Sequence, residues 1–239
     1  MTAYDNGRMN PEQRSSNPKA VIFDCDGTLV DSETSGITAM HEEACKLGYT
    51  APLKFALEQF RGKRMAACFA MIESGLGHAL PHDFETTVRR AMAVKFRATV
   101  TAMPGAAALL QKLKQDGIPY CIASNGPQEK MVLTLELSGL AGYFSKHVFS
   151  AYEIGSWKPD PELFLYAARE MDVAPADCAV VEDSLSGIAA GLAAGMQVFS
   201  MCEAATIPPD VASRIVQIEG LWSLPAAWNL RGLPDTISA

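Results

Sequence analysis

The feature that most constrains the fold is a short apolar run that ends in two aspartates and a glycine, Val21-Ile-Phe-Asp24-Cys-Asp26-Gly27. An apolar, β-branched run stopped by glycine predicts a buried strand, and such strands lie in the middle of parallel sheets. Because side chains alternate along a strand, Asp24 and Asp26 are expected on one side, with Cys25 toward the packed layer. Open α/β sheets bind ligands at the carboxyl ends of their strands, so the run predicts a metal and phosphate site, although an aspartate pair can also be an ordinary turn.

The rest of the chain divides into an all-helical block and a stretch in which strands and helices alternate. Between residues 33 and 103 the pattern is helical and shows no strand. The helices are expected at about 33–47, 52–60, 63–76 and 83–100. Strands after Pro104 are expected at 118–123, 146–149, 178–181 and 197–201. Together with the first strand, these make about five parallel strands separated by helices.

This alternation predicts an α/β fold, a doubly wound parallel sheet with an inserted helical domain. The sheet domain is expected to comprise residues 19–32 and 104–239, and the helical insertion residues 33–103. Residues 1–18 are polar and lack the continuous apolar core of a signal peptide, so we expect a disordered extension.

Charge and cysteine usage narrow the class of protein. A net charge of −7 argues against a protein that binds nucleic acid or an anionic membrane. The uncharged run between Asp183 and Glu203 is interrupted by Gly195 and predicts a buried helix followed by a buried strand rather than a membrane span. The six cysteines lack paired metal spacing, which favours a reducing compartment. We expect a cytoplasmic monomer that acts on a small molecule.

Four groups of polar residues lie just past the ends of predicted strands or in the loops between strands and helices. They are Asp24 with Asp26, Ser124 with Asn125, Lys158 alone, and Glu182 with Asp183. Each group after the first also has a plain structural interpretation. Ser124-Asn125 could cap a helix, Lys158 could lie in a solvated turn, and an acidic pair at 182–183 could stabilise a helix start. Their joint placement at one edge of the sheet favours a single site.

The four motifs DCDGTLVDS, SNG, KPDP and VEDS resemble, in sequence and in order, those of the haloacid dehalogenase superfamily. The resemblance covers nearly the whole chain from about Lys19. It implies a Rossmann-like core and identifies the helical insertion with the helical cap of the β-phosphoglucomutase-like branch, which closes over the site.

The resemblance also implies a role for each motif residue. Asp24 would be the nucleophile and Asp26 the general acid and base. Ser124 and Asn125 would hold the phosphoryl oxygens. Lys158 would neutralise charge around Asp24 and the phosphate.

The same resemblance implies Mg²⁺ as the cofactor. Asp183, with Glu182, would hold the ion together with Asp24 and the main-chain carbonyl of Asp26. Oxygen-only ligands of this kind favour Mg²⁺ over softer metals.

The activity implied is that of a Mg²⁺-dependent phosphoric monoester hydrolase, which cleaves a small phosphorylated metabolite through an aspartyl phosphate. A β-phosphoglucomutase-like phosphosugar mutase is the nearest alternative. In those mutases a histidine lies twelve positions after the nucleophile, and Gly36 stands there instead. A catalytically silent phospholigand-binding protein is the other alternative, because a fold does not by itself prove an activity. Retention of every charged motif residue counts against it.

The helical block also suggests the substrate. It carries nine basic and seven acidic residues, and the basic run Arg61-Gly62-Lys63-Arg64 lies at a break between helices. A glycine-hinged basic loop can reach an anionic substrate. The segments FRGK, SNGP, WKPDP and LPAAWNLRGL resemble the bacterial branch that contains 6-phosphogluconate phosphatase. We therefore expect a phosphorylated sugar or sugar acid, with Arg61 and either Lys63 or Arg64 at its non-phosphate end.

Overall fold

The computed structural model describes residues 17–144, 146–228 and 230, so most of the predicted disordered extension, residues 1–16, lies outside the described residues. The strands in chain order are β1 (Ala20–Phe23), β2 (Val30–Asp31), β3 (Thr101–Ala102), β4 (Tyr120–Ser124), β5 (Val148–Ser150), β6 (Cys178–Glu182), β7 (Gln197–Ser200) and β8 (Val216–Gln217). Six of them form a parallel sheet in the order β5-β4-β1-β6-β7-β8, while β2 and β3 form a separate antiparallel ladder. The doubly wound α/β prediction is confirmed.

The central position of β1 follows from its composition. All four of its residues are buried, and it pairs on one side with β4 and on the other with β6. Val21 and Phe23 pack into one apolar layer and Ala20 and Ile22 into the other. Cys25 is fully buried in the first of these layers, as the alternation of side chains predicts.

Two short strands depart from the sequence prediction. The sheet has a sixth strand, β8, which covers the edge of β7. The prediction of no strand between 33 and 103 was wrong, because β3 lies there and pairs with β2 through Val30 opposite Ala102. Two-residue strands are too short to show an alternating pattern, so only the pairing of distant segments defines them.

The helices in chain order are α1 (Glu33–Lys46), α2 (Leu53–Phe60), α3 (Met65–Leu76), α4 (Phe84–Thr99), α5 (Ala106–Gln115), α6 (Gln128–Leu137), α7 (Ala151–Ile154), α8 (Glu162–Glu170), α9 (Leu185–Ala193), α10 (Pro209–Ala212) and α11 (Leu224–Ala227). The first four helices match the ranges predicted for the insertion, whereas the short helices α7, α10 and α11 were not predicted. The first four lie between the strands of the ladder. The uncharged run after Asp183 forms α9 and β7, and no described helix has the length and apolar character needed to cross a membrane.

The helical insertion and the sheet share one apolar layer. Phe60 of α2 and Phe96 of α4 belong to the same buried cluster as Phe23 of β1. The insertion and the sheet are therefore joined by one continuous apolar cluster. The treatment of the insertion as a separate domain, with the predicted boundaries, remains a prediction.

Candidate active site

Strand pairing brings the predicted site residues together. Phe23, at the end of β1, is paired with Ile122 of β4 and Val181 of β6. The next residue, Asp24, donates its main-chain N–H to Val181 O at 3.0 Å. Ser124 and Glu182 end the two neighbouring strands, so they flank Asp24. A cavity of about 380 Å³ opens at this edge and lies between the sheet and the helical insertion.

Lys158 lies at the centre of the buried charges. Its Nζ is 2.6 Å from Asp24 Oδ1 and 2.6 Å from Glu182 Oε1, and its side chain is only 2% exposed. Burial acts to lower its pKa, but Asp24 and Glu182 outweigh this effect and raise it above the usual value. A buried charge is stable only when it is paired, so the two carboxylates hold a permanent cation beside Asp24.

Glu182 supports Lys158 and the turn after β6. Its Oε1 accepts from Lys158, while its Oε2 accepts from the main-chain N–H groups of Asp183 and Ser184 at 3.0 and 2.9 Å. A Cβ added to Gly187 would lie 1.8 Å from the Glu182 carboxyl carbon, so only glycine fits there. Glu182 therefore supports both Lys158 and the turn, and its implied role as a metal ligand remains a prediction.

Asp183 faces Asp24 from the end of β6. Its Oδ1 accepts from Thr28 Oγ1 at 3.1 Å, and a Cβ on Gly27 would lie 2.0 Å from its Oδ2. Burial, followed by repulsion from Glu182 and Asp24, raises its pKa well above the usual value. Burial also raises the pKa of Asp24 to about 7; Lys158 acts in the opposite direction, and Glu182 and Asp26 add to the increase.

The raised pKa values of Asp24 and Asp183 suit a site that binds a divalent cation. Asp24 and Asp183 are buried carboxylates that destabilise each other, and a cation bound by both would relieve that repulsion. Within the described ranges, no three Asp, Glu, His or Cys side chains form a complete metal cage. Mg²⁺ does not require one, because it is usually held by one or two carboxylates together with water and substrate phosphate.

Asp26 is held on both of its oxygens. Its Oδ2 lies 2.8 Å from Lys130 Nζ, and its Oδ1 accepts from the Ser32 hydroxyl. Burial acts to raise its pKa, but Lys130 and Ser32 outweigh burial and lower it. Sequence reasoning missed both Lys130 and Ser32 as partners of Asp26, and the Ser32 side chain does not cap α1. The position of Lys130 in the first turn of the helix after Ser124 was the available indication.

Ser124 and Asn125 differ in what their side chains do. Ser124 lines the cavity, and its Oγ accepts from Gly126 N at 3.2 Å. Both polar atoms of the Asn125 side chain bind the main chain of Lys158, with Oδ1 accepting at 2.9 Å and Nδ2 donating at 3.3 Å. The amide thus holds the Lys158 loop in place, and its expected contact with phosphoryl oxygens remains a prediction.

The basic residues of the loop at 61–64 lie in two different places relative to the cavity. The Arg61 side chain is 59% exposed, and its Nε lies 3.2 Å from Glu33 Oε2. It does not line the cavity, so the expectation that Arg61 contacts the substrate is not met in this arrangement. Lys63 and Arg64 do line the cavity. The Arg64 guanidinium lies over the Trp157 ring, 5.1 Å from its centroid, and sequence reasoning gave Trp157 no role.

Comparisons with known proteins agree with this geometry. The family model of haloacid dehalogenase-like hydrolases matches residues 18–195. The chain is 34% identical to 6-phosphogluconate phosphatase of Escherichia coli over 90% of its own length and 96% of the relative's. It is 33% identical to hexitol phosphatase A of the same organism, over 80% and 86% of the two chains.

A solved structure is also similar. It is a haloacid dehalogenase-family hydrolase from Deinococcus radiodurans with bound phosphate and sodium, which superposes with a TM-score of 0.72 at 27% identity, covering 92% of this chain and all of that one. The sheet order, the converging carboxylates and these matches lead to one conclusion. The chain belongs to the haloacid dehalogenase-like hydrolase family and is a phosphoric monoester hydrolase.

Proposed function

We propose that the protein is a Mg²⁺-dependent phosphatase that hydrolyses a small phosphorylated sugar or sugar acid, with Asp24 as the nucleophile. The observation that carries the proposal is the buried bridge in which Lys158 joins Asp24 to Glu182, with both distances 2.6 Å. This bridge holds a cation against the nucleophile at the bottom of a cavity that is large enough for a small metabolite.

Electrostatics explains why the nucleophile needs this cation. A carboxylate that attacks a phosphate dianion meets like charge, and each unit pair at about 4 Å costs about 4 kcal/mol at an effective dielectric constant near 20. Lys158 offsets part of this repulsion and is held in place before the substrate arrives. When bound by Asp24 and Asp183, Mg²⁺ would supply the remaining positive charge.

The covalent steps use Asp24 and Asp26 in turn. An Asp24 oxygen forms a bond to phosphorus while the bond from phosphorus to the substrate oxygen breaks, and the leaving oxygen takes a proton from the Asp26 carboxyl. Asp26, then a carboxylate, takes a proton from the attacking water as the water oxygen bonds to phosphorus and the bond from phosphorus to Asp24 breaks, which releases inorganic phosphate and restores the Asp24 carboxylate. Ser32 and Lys130 orient Asp26 for both transfers and favour the carboxylate form needed in the second one.

The position of Gly36 supports hydrolysis over the mutase alternative. Gly36 lines the cavity where the mutases carry a histidine. A Cβ built there would lie 3.5 Å from Phe96 Cζ and 3.7 Å from Met92 Cε, so apolar side chains fill the adjacent space. We expect inorganic phosphate from β-glucose 1-phosphate without glucose 6-phosphate. Isomer formation at a rate matching hydrolysis would instead establish a mutase.

A panel of phosphorylated metabolites assayed with Mg²⁺ tests the whole proposal. We expect turnover of p-nitrophenyl phosphate, a preference for sugar and sugar-acid phosphates, and loss of activity in excess chelator. A preference for nucleotides or phosphoamino acids would refute the substrate class. No turnover of any compound would leave the silent phospholigand-binding protein as the better description.

A further inference from the structure

The lining of the cavity includes an arginine that is paired with an aromatic ring rather than with an acid. Arg64 lies over Trp157, and both residues line the cavity. Trp157 directly precedes Lys158, so the ring that supports Arg64 belongs to the loop that carries the catalytic lysine. The contact thus joins the helical insertion to the core at the rim of the site.

The charge of Arg64 is not neutralised within the described part of the chain. Five other cations of the insertion each have a carboxylate within 4 Å. They are Lys46 with Glu43, Lys54 with Glu58, Arg61 with Glu33, Arg89 with Glu85, and Lys95 with Glu42. Among the described residues, Arg64 has no such partner, although it lines the cavity. The rim therefore carries a positive charge that is available to an anion in the cavity.

The contact with Trp157 leaves the hydrogen-bond donors of Arg64 available to that anion. A guanidinium that contacts an aromatic ring through this cation–π attraction does not use its N–H groups as donors to an acid, so they are available to a ligand. Those donors form a fork that matches the two oxygens of a carboxylate. Lys63, which also lines the cavity, is a point charge and has no fork.

We propose that Arg64, held against Trp157, binds the carboxylate of a phosphorylated sugar acid while the phosphate lies against Asp24 and Lys158. The inference rests on the proposed phosphatase function and makes it more specific, because it selects a sugar acid over the corresponding sugar alcohol. Arg64 acts as a specificity residue and takes no part in the bond-breaking steps.

A matched pair of substrates isolates the carboxylate. 6-Phosphogluconate and glucitol 6-phosphate are open-chain six-carbon phosphates that differ only at C1, where one has a carboxylate and the other a hydroxymethyl group. We expect the wild-type protein with Mg²⁺ to have a kcat/KM about tenfold or more higher for 6-phosphogluconate, since a hydrogen-bonded charge pair at an exposed rim contributes about this much. Equal kcat/KM values for the two would overturn the inference and leave the phosphatase proposal intact.

Arg64→Gln then tests the residue. It should lower kcat/KM about tenfold for 6-phosphogluconate and change glucitol 6-phosphate less than about twofold, because only the first compound offers a carboxylate. Trp157→Phe keeps an aromatic platform and should retain most of the preference. Arg90→Gln removes the same charge from an exposed position outside the cavity and should leave the preference unchanged. Equal losses on both substrates in Arg64→Gln would show a structural role and overturn the inference.

A binding measurement on protein that cannot turn over substrate tests the role of Arg64 separately from the phosphatase proposal. Titration calorimetry of 6-phosphogluconate into Asp24→Asn protein with Mg²⁺ should show binding that weakens about tenfold when Arg64→Gln is added. Arg64-dependent binding would support the recognition role even if the phosphatase assays failed. Binding that does not depend on Arg64 would overturn it even if those assays succeeded.

Discussion

The sheet edge and the helical insertion, which face each other across the cavity, differ in how deeply their charged side chains are buried. At the sheet edge, Asp24, Lys158 and Glu182 are almost fully buried, and their charged atoms meet at 2.6 Å. On the helical insertion, just outside the cavity, Arg61 is 59% exposed and its Nε lies 3.2 Å from Glu33 Oε2. Buried pairs are costly to break, whereas exposed pairs contribute little to stability.

This difference separates chemistry from recognition. Asp24 and Glu182 are placed by main-chain pairing of β1 with β4 and β6, and Asn125 fixes the loop that carries Lys158, so these groups have little freedom. The basic residues of the insertion lie on a turn between two helices, where side chains can change without disturbing a sheet. We therefore expect substitutions at the sheet edge to affect all substrates and substitutions on the helical wall to affect only some of them.

Asp24→Asn should produce the largest effect. It keeps the size and polarity of the side chain but removes the attacking charge and one metal ligand, so kcat should fall about a thousandfold or more on every substrate. The variant should remain folded, because the loss of the ion pair with Lys158 is opposed by relief of the repulsion between Asp24 and Asp183, and a thermal unfolding curve checks this. Near-normal activity in folded protein would exclude Asp24 as the nucleophile.

Glu182→Gln tests the support of Lys158. We expect kcat to fall about tenfold to a hundredfold, the usual cost of losing a residue that orients a catalytic group. Glu162→Gln, which breaks the exposed pair with Arg169, is the matched control and should stay within about twofold. Similar losses of kcat in the two variants would mean that the buried ion pair at the sheet edge matters no more for activity than an exposed pair.

Gly187→Ala tests how tightly the same wall is packed. The added Cβ would meet the Glu182 carboxyl group at 1.8 Å, so the carboxylate must move. We expect a loss of about 1–3 kcal/mol in the free energy of unfolding, together with reduced activity. Gly142→Ala places its Cβ where no heavy atom lies within 4 Å and should change stability by less than about 0.5 kcal/mol. Chemical denaturation of both variants measures the difference.

Arg61→Ala should produce the smallest effect. Because its side chain pairs with Glu33 outside the cavity, kcat/KM should change less than about threefold for both p-nitrophenyl phosphate and the best sugar phosphate. A rise in KM confined to the sugar phosphate would instead return Arg61 to the substrate site, as its place in the basic run first suggested.

The sequence by itself determined the parallel sheet and the residues at its edge. The apolar run before Asp24 could only be a central strand, and parallel strands end at a common edge, so the polar residues after each strand had to meet. The short ladder of β2 with β3 and the edge strand β8 escaped prediction because two residues carry no periodic signal.

Only the tertiary structure decided which atoms these residues use and what they contact. Lys130 reaches Asp26 across 104 positions of sequence, Glu182 pairs with Lys158, and Arg64 lies over Trp157 while Arg61 pairs with Glu33. Such pairings depend on the direction of side chains from elements far apart in the chain. Local sequence patterns predict which polar residues lie at the edge of the sheet. The packing of distant elements determines which residues they contact.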